Sequence, residues 1–383
     1  MFSHLHRIVL IIIFFAYIPT SPAVATINCD LSSVKTHTLN VGGTTLTLGN
    51  DMNIGQIIYR LANTNSIQDN LGATCITTGS IANEIDAYSY LSAVPQPLSA
   101  TQVGQGSGAI YETGHPGIGL FISDSKGNLT TEPHLYAQKA AWIASSSSRG
   151  TLALSLIQNV RLVKTGPVQP GSIDASQFPT ISAYSNSVPE LTIIPSKVNY
   201  YYLKFSGLIN IVSGSCETPN FTVDLGKHKL RDFDSSSTTN WVDSSITLTN
   251  CPQFFGYYPG TGTGTGSAIG SNVLSGITST PESLSNIATV KLAPAEIIDP
   301  INGIIGIDAD DTGNSASGVG IQLAWGNGNA QTLVDFNQSH DNELPKTGNS
   351  TIKIPLVARY IKTGTNITQG IANGHLIFTI KYK

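Results

Sequence analysis

Charge is what this sequence has least of. Asp, Glu, Lys and Arg make up 11% of its 383 residues, against about 25% in ordinary soluble domains. The net charge is only −4 and no basic stripe runs along the chain, which argues against nucleic acid as a partner. The eight histidines are scattered, so no metal-ligand spacing appears and no metal or other cofactor is expected. His-Glu-x-x-His is absent. So is a Gly-x-Ser-x-Gly placed between a strand and a helix. Asp308-Ala-Asp310-Asp311-Thr312-Gly313 begins like a calcium loop, but position 12 is Val319 where a Glu is required. A polar turn is predicted there. No catalytic residue can be named, and the chain reads as a non-enzyme. Paired carboxylates for glycoside hydrolysis are set by a fold and not by spacing, so a secreted glycan-processing enzyme stands as an alternative.

Long apolar runs are missing after residue 18. The run at residues 8–18 (IVLIIIFFAYI) falls short of the roughly 20 residues that a membrane-spanning helix needs. His4, His6 and Arg7 precede it, Pro19 and Pro22 break it, and Ala23-Val24-Ala25 follows as a small-x-small pattern. This is the layout of a secretory signal peptide over residues 1–25. The mature chain is then expected to begin near Thr26 and to reach an oxidising compartment.

Cysteine is scarce too. Cys29 and Cys75 lie in the first half, Cys216 and Cys251 in the second. Four cysteines allow three pairings. If the chain has two domains, as its length favours, the local pairing follows: Cys29 with Cys75 and Cys216 with Cys251. No Cys-x-x-Cys accompanies them, so a zinc site is set aside.

What fills the space left by charge is Gly, Ser, Thr and Asn, with Val, Ile and Tyr between them. Those residues favour turns and pleated surfaces, so an all-β fold is expected. Strand patterns recur at short spacing, as sandwiches or barrels require. Residues 44–48 (TTLTL) and 119–123 (GLFIS) are two of them. Leu152, Leu154, Leu156, Val160 and Leu162 are expected on one face of a single long strand, stopped by Thr165-Gly166-Pro167. Ile54, Ile57, Ile58 and Leu61 fall at helical spacing and predict a short helix within residues 51–62. Residues 169–197 are rich in Pro, Ser and Ile and read as a last strand followed by a linker. The first domain is therefore placed at 26–198 and the second at 199–383. Gly260-Thr-Gly-Thr-Gly-Thr-Gly266 has no Lys at P-loop spacing and reads as a flexible hairpin tip. The chain closes with Leu376, Phe378, Ile380 and Tyr382 at every second position, a strand with one apolar face.

The second half resembles a pilin domain of chaperone–usher fimbriae. The matching residues are Cys216, then Phe221-Thr-Val-Asp-Leu-Gly226, then Cys251 followed by Pro252. Ala316-Ser-Gly-Val-Gly-Ile-Gln-Leu323 and the Gly374–Tyr382 ending match as well. The first half is similar to the receptor-binding domain of two-domain tip adhesins in Thr113-Gly-His-Pro-Gly-Ile-Gly119 and Leu162-Val-Lys-Thr-Gly-Pro167. These two segments read as architectural, with Gly117, Gly119 and Gly166 allowing tight turns or close strand contacts.

The resemblance implies two immunoglobulin-like or jelly-roll-type sandwiches, the second an incomplete pilin fold that lacks its final strand. It implies a periplasmic chaperone, an outer-membrane usher and the next fimbrial subunit as partners. The chaperone and the next subunit would in turn supply the missing strand alongside Leu376, Phe378, Ile380 and Tyr382, with the end of Lys383 held by the chaperone. It also implies export through the periplasm to the tip of a surface fimbria, and a host glycan or glycoprotein receptor. A structural tip or adaptor subunit with no ligand is the alternative.

Sugar sites join carboxylates and amides to an aromatic face. Asp86 and Tyr88, with Tyr90 beyond them, would share one face of a strand, and Trp142 sits beside a polar loop near His134 and Tyr136. Asp86, Tyr88 and Trp142 are the ligand candidates; His115 is placed near a surface turn. Asn-x-Ser/Thr sequons at Asn128, Asn220 and Asn366 would also fit a eukaryotic secreted receptor, but such triplets arise by chance in Asn/Thr-rich chains.

Overall fold

A computed structural model describes residues 25–383 except 67, 68, 70, 79, 80, 145–148, 154, 188–190, 261–267 and 310–312. The expected signal peptide lies outside the described residues but for Ala25. So do the centre of the GTGTGTG stretch and the middle of the predicted turn at 308–313. Among the described residues, no helix is long and apolar enough to cross a membrane.

The chain is all-β, built as two sandwiches around separate cores. The first core gathers residues from Ile27 to Ile211 together with Tyr257, Ile269 and Val273, and the second draws on residues between Cys216 and Tyr382. Each holds one disulfide, Cys29–Cys75 and Cys216–Cys251, closing loops of 46 and 35 residues. The local pairing is thus the one formed.

In the first module two sheets dominate. One has Leu156–Lys164 between Ile57–Asn65 and Ile118–Ser123. The other has Thr180–Asn186 between Ile81–Ala93 and Lys197–Ser206. Ile118–Ser123 is buried at every position, as a strand covered on both faces must be. The two segments singled out as architectural meet here. Gly117 has φ +79° and accepts from Thr165 N–H at 2.8 Å and Gly166 N–H at 3.2 Å. A Cβ on Gly117 would overlap the Pro167 carbonyl, so only glycine fits.

Three expectations about local structure are corrected. Residues 57–65 form a strand and not part of a helix. Gly55 at φ +89° breaks the turn before it, and Ile57, Ile58 and Tyr59 favour the pleated state. The long strand foreseen through 152–162 is two. Arg149–Ala153 pairs with Gly72–Thr78, while Leu156–Lys164 joins a different sheet. The 198/199 division falls inside the strand Lys197–Ser206, whose Val198, Tyr200, Tyr201, Leu203 and Phe205 belong to the first core. Leu208–Ser213 follows in the same module, pairing in parallel with Thr44–Leu48. An apolar alternation shows that a strand forms but not which core its apolar face joins.

The second module packs two main sheets. Val319–Asn327 and Leu356–Lys362 pair at the centre of one. Ile287–Pro294 is the centre of the other, with His340–Glu343 on one side and Leu376–Tyr382 on the other. The module also reaches back. After Cys251 the chain crosses to the first module, where Tyr258 N–H donates to Ile58 O at 3.0 Å. The hairpin of Ile269–Asn272 and Gly276–Ser279 then adds to the first module's sheet. Ile269, Gly270 and Ser271 pair in parallel with Leu61, Ala62 and Asn63. Ile269 and Val273 are buried in the first core. The chain returns at Leu284, which exchanges backbone bonds with Tyr257.

Candidate functional site

Two surfaces have the features of binding sites. The first is the edge of the last strand. Leu376–Tyr382 pairs antiparallel with Ile287–Pro294 and with no strand on its other side among the described residues. Lys383 and Ile287 exchange both backbone bonds at 2.9 Å. Antiparallel ladders alternate, so residues 377, 379 and 381 also face the partner strand. Leu376, Phe378, Ile380 and Tyr382 then turn their N–H and C=O groups towards the open side.

Their side chains point into the second core. Tyr382 is buried, and Leu376, Phe378 and Ile380 are partly covered. Outward-facing Ile377 is 69% exposed. Across the opening runs the segment 218–226, which belongs to no strand. Phe221, in that segment, sits with its ring 6.1 Å from the ring of Phe378. Between Ser215, Cys216 and Thr218 on one wall and Phe378, Ile380 and Tyr382 on the other lies a cavity of about 340 Å³. The sandwich is therefore open along one seam, with an apolar floor and a row of unpaired backbone groups. Such an edge templates strand addition.

The second surface is a tyrosine cluster on the outer face of the first module's sheet. Register sets Tyr88 opposite Tyr184, and Tyr90 opposite Ser182. Tyr88 stacks on Tyr184 with centroids 5.2 Å apart and 14° between planes; Tyr90 meets Tyr184 edge-on at 5.4 Å. Lys197 holds its ammonium 3.9 Å from the Tyr184 ring centre and 5.0 Å from that of Tyr90. Tyr90 donates to Asn199 Oδ1 at 3.1 Å, and Asn199 Nδ2 donates to the Tyr202 hydroxyl at 2.9 Å. Burial is the main cause that raises the Tyr90 and Tyr184 pKa values above 10.0. Both phenols stay neutral at physiological pH and keep their donor capacity.

The sequence candidates divide on this geometry. Asp86 and Tyr88 are partly buried positions of the strand Ile81–Ala93, and alternation puts them on one face. The Asp86 carbonyl accepts from Ser185 Oγ at 2.9 Å. Trp142 lies opposite Asn83 in the backbone register. That is five positions from Tyr88, or about 16 Å along the strand; its side chain lies outside the described residues. His134 is tied to the buried Asp124 at 2.9 Å, and Tyr136 packs on the first core. His115 opens the turn that Ile118 N–H closes on its carbonyl at 3.3 Å, as expected, but its ring is buried, with Nδ1 3.1 Å from Pro116 O.

Tyr184, Lys197, Asn199 and Tyr202 escaped the sequence reading. By composition their stretch resembles a closing strand, a linker and the opening of the second module. The alternation Ser182, Tyr184, Asn186 was the signal available.

Residues 204–383 match the family model described as Fimbrial protein. The chain is similar to a fimbria adhesin protein of Klebsiella pneumoniae, 25% identical over 288 residues that cover 73% of each chain. Among solved structures it is similar to the CupB6 tip adhesin from Pseudomonas aeruginosa, at 15% identity and TM-score 0.32, over 93% of this chain and 94% of that one. It is also similar to the receptor-binding domain of the adhesin MrkD1P of Klebsiella pneumoniae, at 17% identity and TM-score 0.28, over 50% of this chain and 98% of that one.

Proposed function

We propose that this chain is a fimbrial adhesin of the chaperone–usher class, which attaches a cell to a surface; the match of residues 204–383 to the Fimbrial protein model supports that reading. The second module joins the fimbria by accepting a strand from another subunit. The first module stands at the tip and captures a host glycan or glycoprotein.

The observation that carries the first half is the open seam. Leu376, Phe378 and Ile380 present unpaired amides above an apolar floor that water reaches. An extended segment with alternating apolar side chains would pair with those amides and cover that floor. A periplasmic chaperone fills the seam during export, an outer-membrane usher passes the subunit on, and the next subunit's segment replaces the chaperone. Lys383 lies at the end of that seam.

Tyr88, Tyr90 and Tyr184 support the second half, with Lys197, Asn199 and Asp86 around them. Partly exposed Tyr88 and Tyr90, backed by the buried Tyr184, offer an aromatic face bordered by donors and acceptors, which is what a sugar ring needs. Single contacts of this kind are weak and gain strength when many fimbriae engage one surface.

The test uses the full mature chain with its seam filled by an alternating apolar peptide. Peptide binding that is lost in Phe378→Asp supports strand acceptance. Capture of immobilised glycans or glycoproteins that is lost in Tyr88→Ala supports the receptor face. Absence of capture across a dense panel reduces the chain to a structural tip subunit.

A further inference from the structure

The seam does not stay open along its whole length. Tyr382 is the fourth residue whose backbone groups turn outwards, and both of those groups are already bonded. Its carbonyl accepts from Asp51 N–H at 3.1 Å. Its N–H donates to Asp51 Oδ2 at 2.9 Å. Asp51 belongs to the first module, in the loop that leads into the strand Ile57–Asn65.

That loop is held in place from behind. Buried Lys164 donates from Nζ to Asn50 O at 2.7 Å. Met52, also buried, returns its N–H to Gly49 O at 3.3 Å. Gly49 lies flat against the terminal strand, and a Cβ there would overlap the Tyr382 carbonyl. Asn50 and Asp51 also line the cavity beside Phe378, Ile380 and Tyr382. They close its end.

We propose that Asp51 is an end-stop built into the acceptor seam. It occupies Tyr382 in cis, so an incoming strand pairs with Leu376, Phe378 and Ile380 and goes no further. This rests on the strand-acceptance reading above and adds its register. The partner it fits is an extended segment whose pairing stretch ends beside Ile380, where its chain must turn away from the first module. A segment that continued in register past Tyr382 would have to expel the loop at 49–52. The receptor-bearing module thereby helps decide which strand its own fimbrial module accepts.

The experiment has two readouts on the full mature chain. The first is amide exchange at Tyr382 without any peptide. Protection is expected in the native chain and in Asp51→Asn, which keeps an acceptor, and loss of protection in Asp51→Ala, with Thr379 and Lys381 unchanged. The second is the affinity of two synthetic alternating apolar peptides, one ending beside Ile380 and one extended by two residues past Tyr382. The native chain should bind them within about threefold of each other. Asp51→Ala, or Gly49→Ala, which pushes the loop off by contact, should favour the long peptide by tenfold or more. A tenfold preference for the long peptide in the native chain overturns the proposal, as does a Tyr382 amide that exchanges freely there. If neither peptide binds any variant, strand acceptance fails, while exchange at Tyr382 still decides whether the stop exists.

Discussion

The hairpin from the second module is the first feature to test, because its removal should weaken a module to which it does not belong in sequence. Ile269 is 2% exposed and packs in the first core. Nearby, Val273 N–H donates to Asn65 Oδ1 at 3.1 Å, and Asn272 Nδ2 donates to Thr64 O at 2.9 Å. Truncating a buried Ile to Ala costs about 2–5 kcal/mol, set by how far the site collapses. A middle value of about 3 kcal/mol, in a module of this size, lowers the midpoint by roughly 6–12 °C. Calorimetry of Ile269→Ala in the mature chain, its seam filled by peptide, measures the shift. Amide exchange along Ile57–Asn65 says where the loss falls, and Leu61–Asn63 should open first. A shift below about 1 °C with that strand still protected would refute the reasoning. The hairpin would then be an ornament, and the first module would stand alone.

Three further outcomes are expected. Tyr88→Ala removes a stacked ring from the proposed receptor face, so captured ligand should fall tenfold or more in a binding assay while the chain loses only about 1 kcal/mol of stability. Cys216→Ala with Cys251→Ala opens a 35-residue loop and should cost about 4 kcal/mol in the chain-entropy account, read by urea unfolding. His340 stacks on Trp325 at 4.2 Å, and burial lowers its pKa below 6.5 against an opposing pull from Asp341. A lowered value means that the fold disfavours the imidazolium. The contribution is whole above pH 6.5 and is lost as pH falls from there to the folded-state value. Unfolding curves at stepped pH should show that loss, and His340→Gln should flatten it.

Much of this was legible in the sequence. Alternation at Leu376, Phe378, Ile380 and Tyr382 showed which side chains turn inwards, because a strand has only two faces. The disulfides followed from locality once two modules were granted. Gly117 and Gly166 were legible as close contacts because glycine is the residue that tolerates them. What stayed hidden depends on long-range placement. Tyr200 to Phe205 alternate as any strand does, and only the assembled core shows that they complete the first module. Tyr184 and Lys197 become a platform only when register brings them to Tyr88 from about a hundred residues away. Asp51 carries no mark in the sequence, since its partner Tyr382 lies 331 positions on. The helical spacing in residues 51–62 does not make a helix, because Gly55 at φ +89° breaks the turn and Ile57, Ile58 and Tyr59 favour a strand.

The hairpin also bears on how the molecule carries load. Modules joined by one linker swivel about it. Here the chain leaves the second module after Cys251, lies parallel to Leu61–Asn63, and comes back at Leu284. Were the proposed attachment to place tension between the two modules, this parallel pairing would share it with the direct linker. If the first module grips a receptor as proposed, this second tie beside the direct linker would limit how far the two modules swivel apart.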